Sequence, residues 1–260
     1  MLLHPAIDPV ALQIGPLAVR WYGLMYMIGF AAGWSLGRWR ASRPGSGWTA
    51  REVDDLIALC MFGLIIGARV GYVLFYDPAY FLAHPMDVLA IWKGGMSFHG
   101  GLAGICLCLW WFGKKTGRTF TQMGDFLTPL CAPGLLAGRM GNFINGELFG
   151  RPTDLPWGMV FPGGGIAPRH PSQLYEAGLE GVALFAIVWL FSAKKRPTGA
   201  VGGLFALLYG SFRFLVEFVR QPDPQLGFIA FDWLTMGQLL SLPLMLIGAW
   251  LLWRAYRRAD

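Results

Sequence analysis

The sequence predicts an all-α membrane protein: a polytopic integral bundle of seven transmembrane helices with a small extracytoplasmic head. Three observations lead there. Of the 260 residues, 55% are hydrophobic and only 14% are charged, against about 25% charged in a soluble domain. The apolar residues gather into runs of roughly 20, the length that crosses a hydrocarbon core. The basic residues gather into the short connections between those runs, where topology signals lie. The net charge of +6 therefore does not read as a nucleic-acid surface.

The elements follow in order. Met1–Arg20 carries Pro5, Pro9 and Pro16 and gains its positive charge late, so it does not read as a cleavable signal peptide. Span one is expected from about Ala18 to Gly37, ahead of a loop with Arg38, Arg40, Arg43 and Arg51. Span two covers about Val53 to Tyr76, with Arg69 near its far end. Asp77–Trp92, with Pro78 and Pro85, is too polar to cross and is expected to lie at the interface as a short amphipathic piece. Span three runs from about Met96 to Phe112, before Lys114, Lys115 and Arg118. Span four, about Met123 to Met140, is expected to be interrupted at Pro129, Pro133 and Gly134. Gly141–Pro171 is the one sizeable polar insertion in a single membrane domain covering residues 1–260. Span five runs from about Ser172 to Ser192 and is followed by Lys194, Lys195 and Arg196. Span six covers about Gly199 to Val219, and the Arg220–Trp233 connection leads to span seven, about Leu234 to Trp253. Arg254, Arg257 and Arg258 close the chain.

With seven spans, the basic loops and the C-terminus share one face and hold 13 of the 21 basic residues. The positive-inside rule places that face in the cytoplasm. The N-terminus, the Gly141–Pro171 insertion and the Arg220–Trp233 connection are then outside. No internal repeat is visible, which weighs against a transporter built from inverted halves. Cys60, Cys106, Cys108 and Cys131 lie in apolar runs and read as small buried residues, with no zinc spacing or disulfide framework.

Polar residues at membrane depth are costly and point to function. Gly138–Gly150, G-R-M-G-N-F-I-N-G-E-L-F-G, concentrates them. Arg139 brings a planar charged fork suited to phosphate. Gly138 and Gly141 allow close backbone approach or positive φ. Asn142, Asn145 and Glu147 add hydrogen-bonding groups. Arg213 lies 14 residues into span six, roughly 21 Å along a helix and so in the outer half of the core. It shares a face with Tyr209 and Glu217. His99 and Tyr22 open spans three and one at the same outer level, and Glu176 and Glu180 share a face at the start of span five. This set suits an anionic, amphipathic substrate such as a phospholipid, its phosphate at the arginines and its tails in lipid. Plainer readings stand beside it. Arg213 with Glu217 also reads as a structural ion pair, Arg139 as a snorkelling cation and Glu180 as a partner for a basic neighbour. Trp21 and Tyr26 read as aromatic belt, and His4 and His84 as surface residues.

Over almost its whole length the sequence resembles the bacterial prolipoprotein diacylglyceryl transferases. The resemblance rests on W-Y-G-L-M-Y at Trp21–Tyr26, R-P-G-S-G-W at Arg43–Trp48 and G-G-M-S-F-H-G-G at Gly94–Gly101. It continues through Gly138–Gly150, R-H-P-S-Q-L-Y-E at Arg169–Glu176 and Y-G-x-x-R-x-x-x-E-F-x-R-Q-P at Tyr209–Pro222. The insertion before Arg169 looks shorter than in some members. The resemblance implies a multi-pass enzyme of the bacterial cytoplasmic membrane that moves diacylglyceryl from phosphatidylglycerol to the lipobox cysteine of a prolipoprotein. The product is a thioether, and glycerol phosphate leaves. It implies that Tyr22, His99, Arg139, Asn142, Glu147, Gly150, Tyr209, Arg213 and Glu217 are the important positions. On that footing Arg139 and Arg213 are expected at the phosphate and His99 at the thiol proton, with Glu147 or Glu217 as alternatives. Asn142 and Tyr22 would position the headgroup, with Asn145 beside them. No metal and no cofactor is expected, and no nucleic-acid partner.

Overall fold

The computed structural model describes residues 2–15, 17–222 and 227–258. Residues 223–226 of the predicted Arg220–Trp233 connection lie outside that set. The described chain is mostly helical. Its longer helices are α1 (Trp21–Ala41), α2 (Ala50–Phe75), α4 (Phe98–Thr116), α5 (Phe120–Ile144), a run from Ser172 to Ser192, α8 (Ala200–Val216) and α9 (Met236–Arg257), with a short α3 at Pro78–Ala83. A helix thus stands at each predicted span. Among the described residues, three of them, Ala50–Phe75, Ser172–Ser192 and Met236–Arg257, are long and apolar enough to cross a membrane. Pro129 and Pro133 sit inside a continuous α5 rather than interrupting it. By its contacts the chain divides into two compact units, Trp34–Met123 and Met1–Gly33 with Gly124–Asp260.

In the Trp34–Met123 unit, α2 starts at a reciprocal cap: the Thr49 hydroxyl accepts from the Glu52 N–H, and the Glu52 carboxylate accepts from the Thr49 N–H at 2.8 Å. Glu52 also pairs with Arg118, whose guanidinium lies over Trp48. Gly63, Gly67 and Gly71 recur every fourth residue on α2 and meet Gly100 and Gly104 of α4. A Cβ on Gly104 would lie 2.0 Å from the Gly63 carbonyl oxygen, so the two backbones touch where side chains would otherwise stand. Arg69 is buried and donates to the carbonyls of Asp87, Val88, Gly94 and Gly95 at 2.5–2.9 Å. One cation thereby ties down the stretch after α2, which is α3 followed by short 3₁₀ turns at Pro85–Leu89 and Ile91–Lys93. Leu82, Met86, Leu89 and Trp92 are exposed there, as an interfacial piece requires.

The other unit holds β-structure that the all-helical expectation did not include. β2 (Val10–Ile14) and β3 (Leu17–Arg20) form an antiparallel hairpin leading into α1, and β1 (Leu2–Leu3) pairs in parallel with β4 (Met159–Val160) of the insertion. That pairing buries His4, whose Nε2 lies 2.6 Å from the Phe143 carbonyl oxygen, so His4 is not the surface residue expected. Ala132, Leu184, Val188 and Val201 form an apolar core joining α5, the Ser172–Ser192 run and α8. Asp125 of α5 accepts from the N–H groups of Gly199 and Gly202 at 2.6 and 2.8 Å, capping α8. α8 and α9 approach at Gly203, Gly210 and Gly248, again through backbone. Of the cysteines only Cys60 is buried. Cys106 and Cys131 are exposed on helix surfaces, which corrects the expectation of burial, and all four are free.

Candidate active site

The Gly138–Gly150 stretch is helical to Ile144 and then turns. Arg139 and Asn142 therefore project from the last turns of α5. Neither Gly138 nor Gly141 takes positive φ; the left-handed positions are Gly146 (φ +65°) and Leu148 (φ +58°), where the chain leaves the helix. Gly141 instead admits the Tyr22 ring, since a Cβ there would come within 3.0 Å of Tyr22 Cδ2. The Tyr22 hydroxyl lies 3.3 Å from that of Tyr26. Glu147 folds back over the helix end, and its Oε1 accepts from Asn142 at 2.9 Å and Asn145 at 3.2 Å.

The carbonyls after this turn are claimed by the next helix. Gln173 donates to the Glu147 carbonyl at 2.6 Å, and the Ser172 hydroxyl donates to that of Leu148 at 2.9 Å. These bonds fix α6 (Ser172–Glu176). A π-helical turn, Ala177–Ala183, links it to α7 (Leu184–Ser192), a local form that often marks functional sites. Gly150 lies where the strand-like segments cross: it pairs with Arg220, and a Cβ on it would sit 2.5 Å from the Val219 carbonyl oxygen. Arg169 braces the same crossing through the carbonyls of Gly164 and Gly150.

Six ionisable side chains, acidic and basic by turns, then follow one another: Glu180, Arg139, Glu176, Arg213, Glu217, Arg220. Arg139 Nη2 lies 3.2 Å from Glu180 Oε2, and its Nη1 lies 3.2 Å from Glu176 Oε2. Arg213 pairs with Glu176 through one terminal nitrogen and with Glu217 through the other. Arg220 Nη1 reaches Glu217 Oε1 at 3.3 Å. The Thr235 hydroxyl, which also caps α9, donates to Glu217 Oε2 at 2.6 Å. Gly237 leaves room for that carboxylate, because a Cβ there would lie 2.5 Å from Glu217 Cδ. All three glutamates are buried, while the side chains of Arg139 and Arg213 keep 18% and 16% of their exposure. Charge pairing offsets the desolvation that such burial brings. A guanidinium has five N–H donors, so these contacts leave donors free to meet an incoming oxyanion.

Outside the spans, Arg151 donates to the carbonyls of Arg220 and Glu217 at 3.0 and 3.1 Å. Partial burial lowers its pKa from the ordinary value, opposed by Glu217. His170 is held below its ordinary pKa by burial and then by Arg151. Its Nδ1 lies 3.3 Å from the Tyr175 hydroxyl, which accepts from the Trp157 indole N–H at 2.7 Å.

The profile of the prolipoprotein diacylglyceryl transferase family matches residues 9–254. The chain belongs to that family. Curated relatives agree. A phosphatidylglycerol–prolipoprotein diacylglyceryl transferase of Solidesulfovibrio magneticus is 63% identical over 257 residues, spanning 98% of this chain and 97% of its own. Relatives of the same name come from Nitratidesulfovibrio vulgaris, 61% identical over 252 residues (97% of this chain, 96% of its own), and Coxiella burnetii, 58% identical over 260 (all of both chains). Within this transferase-family chain, the residues expected at the site fall into separate groups. Arg139, Arg213 and Glu217 share one ionic network, and Asn142, Asn145 and Glu147 share one hydrogen-bonded turn. Tyr22 packs on that same helix, Gly150 makes the crossing possible, and Tyr209 sits one turn before Arg213, stacked on Phe205. His99 belongs to the Trp34–Met123 unit, exposed in the first turn of α4 with its ring edge-on to Phe98. Sequence reasoning placed Glu176 and Glu180 on one face within the polar set but assigned them no role. Arg220, Thr235 and Arg151 were missed, although Arg220 stands inside the E-F-x-R-Q-P motif that begins at Glu217.

Proposed function

We propose that this chain transfers the diacylglyceryl group of phosphatidylglycerol to the lipobox cysteine of a prolipoprotein, the first step of lipoprotein maturation. The observation that carries the reading is the pair of partly exposed arginines, Arg139 and Arg213, held by buried carboxylates in a chain whose helices are built for lipid. The reaction is a displacement. The cysteine sulfur attacks the glyceryl carbon that bears the phosphate, a C–S bond forms, the C–O bond to phosphate breaks, and glycerol phosphate departs. Negative charge grows on the leaving phosphate, where fixed guanidinium donors lower the barrier. The attacking form is thiolate, so a base must take the thiol proton. His99 is assigned that role, and Asn142, Asn145, Tyr22, Gly150 and Tyr209 are assigned to the headgroup and its surroundings. Glu147 and Glu217 hold neighbouring groups in place.

On this reading residues 1–260 form one membrane domain of the bacterial cytoplasmic membrane, with seven spans. The N-terminus and the 141–171 head lie outside, and the C-terminus lies in the cytoplasm. The test is an assay of the purified protein with acyl-labelled phosphatidylglycerol and a lipobox peptide. The expected product is a diacylglyceryl adduct that disappears when the peptide cysteine becomes alanine. A folded sample that yields neither adduct nor glycerol phosphate overturns the reading.

A further inference from the structure

Glu176 is the one carboxylate among the described residues that is paired with both Arg139 and Arg213. Its Oε2 lies 3.2 Å from Arg139 Nη1, its Oε1 pairs with Arg213 Nη1, and the side chain is fully buried. Glu180 pairs with Arg139, and Glu217 with Arg213 and Arg220, while Arg220 Nε also lies 3.9 Å from Glu176 Oε1. The backbone just before Glu176 is pinned by Ser172 and Gln173 to the turn that carries Glu147. We propose that Glu176 is a positioning residue with two tasks: it sets the spacing of Arg139 and Arg213 so that they address one phosphate together, and it keeps the cluster neutral so that the departing phosphate monoester is released.

This inference rests on the transfer reading above. The substrate phosphate is a diester with a single negative charge. The product is a monoester, which carries about −1.5 to −2 at neutral pH. A cluster of three arginines matched by three glutamates offers directed N–H groups with acidic and basic side chains in equal number. It therefore recognises phosphate by geometry. A surplus of positive charge would favour the monoester most and hold it.

The experiment uses the full-length protein in detergent, with glycerol phosphate as the anion probe. Binding is read by thermal shift or calorimetry, and kcat and KM by the peptide assay. Glu176→Gln is expected to bind glycerol phosphate several-fold more tightly than wild type while kcat falls about a hundredfold, the scale of a small misplacement of reacting groups. Glu180→Gln leaves the bridge in place and is expected to lose less than about tenfold, again on that scale. Unchanged or weaker glycerol phosphate binding by Glu176→Gln overturns the charge-balancing task. Equal losses in Glu176→Gln and Glu180→Gln overturn the bridging task. Glu176→Asp keeps the charge but shortens the reach: it should lose kcat without tightening on glycerol phosphate, and wild-type kcat in it removes the bridge even if the glutamine variant fails to fold. The binding arm needs no turnover, so a wild type that binds the anion yet makes no adduct points to the transfer reading as the one at fault.

Discussion

Arg139 places its two terminal nitrogens opposite two different carboxylates, on a helix that otherwise offers little charge. Arg139→Ala leaves Glu180 without its ion-pair partner and, on the proposed transfer reading, removes one of two cations assigned to the phosphate. Transfer is expected to fall about a thousandfold, the upper range for losing one such donor, with membrane insertion retained; normal turnover would take Arg139 out of the site. His99→Gln is expected to bind phosphatidylglycerol as wild type does yet lose about a hundredfold or more in kcat, as removal of a general base does. His170 makes a pH prediction. Its folded-state pKa is depressed by burial and Arg151, so the unfolded chain binds its proton more readily. The stability from neutral His170 is fully present above the unfolded value of about 6.5 and is lost as pH falls through the lower folded value. Thermal melts should show a smaller drop from neutral to acidic pH in His170→Gln than in wild type. At this scale the arginines were legible because a charge inside an apolar run needs a reason. The face shared by Glu176 and Glu180 was legible too, but not which arginines it meets, because spacing along one helix carries no information about its neighbour. His4 was misread because nothing in Met1–Arg20 announces that it pairs with residues near 160.

Among the elements, the contact between α2 and α4 depends on absent side chains. Gly104→Val would drive a Cβ to within 2.0 Å of the Gly63 carbonyl oxygen, and neither backbone can yield without separating the helices. A destabilisation of about 1–3 kcal/mol or more is expected, visible as a lower melting temperature in detergent, while Gly124→Ala, inside α5 with nothing within 4 Å, should not lower it. Helix positions were readable from hydropathy to within a few residues. Continuity was not: Pro129 and Pro133 suggested a broken α5, yet the helix persists through both. The hairpin β2–β3 escaped notice because its strands, Val10–Ile14 and Leu17–Arg20, are short and mixed in character, with no hydrophobic period to announce them.

For the whole molecule, the distribution of basic residues makes the strongest statement. Reporter fusions at Lys195 and after Arg258 are expected to be cytoplasmic, and one inserted at Gly163 extracytoplasmic; the opposite pattern would invert the topology and remove the head from the side where lipoboxes are presented. The division into two compact units was not legible, since every span looks alike in composition. The alternating row of charges has a further consequence, in time rather than in space. The ribosome releases Arg139 before Glu176 and Glu180 have been made, whereas Arg213 and Glu217 arrive already matched at the end of α8. An unmatched arginine is costly in lipid. In the seven-span reading, α5 therefore lingers at the translocon until the helix behind it emerges, and the two partition into the bilayer as a pair. On that reading, the ion pairs that shape the site are also expected to set the order in which its helices enter the bilayer.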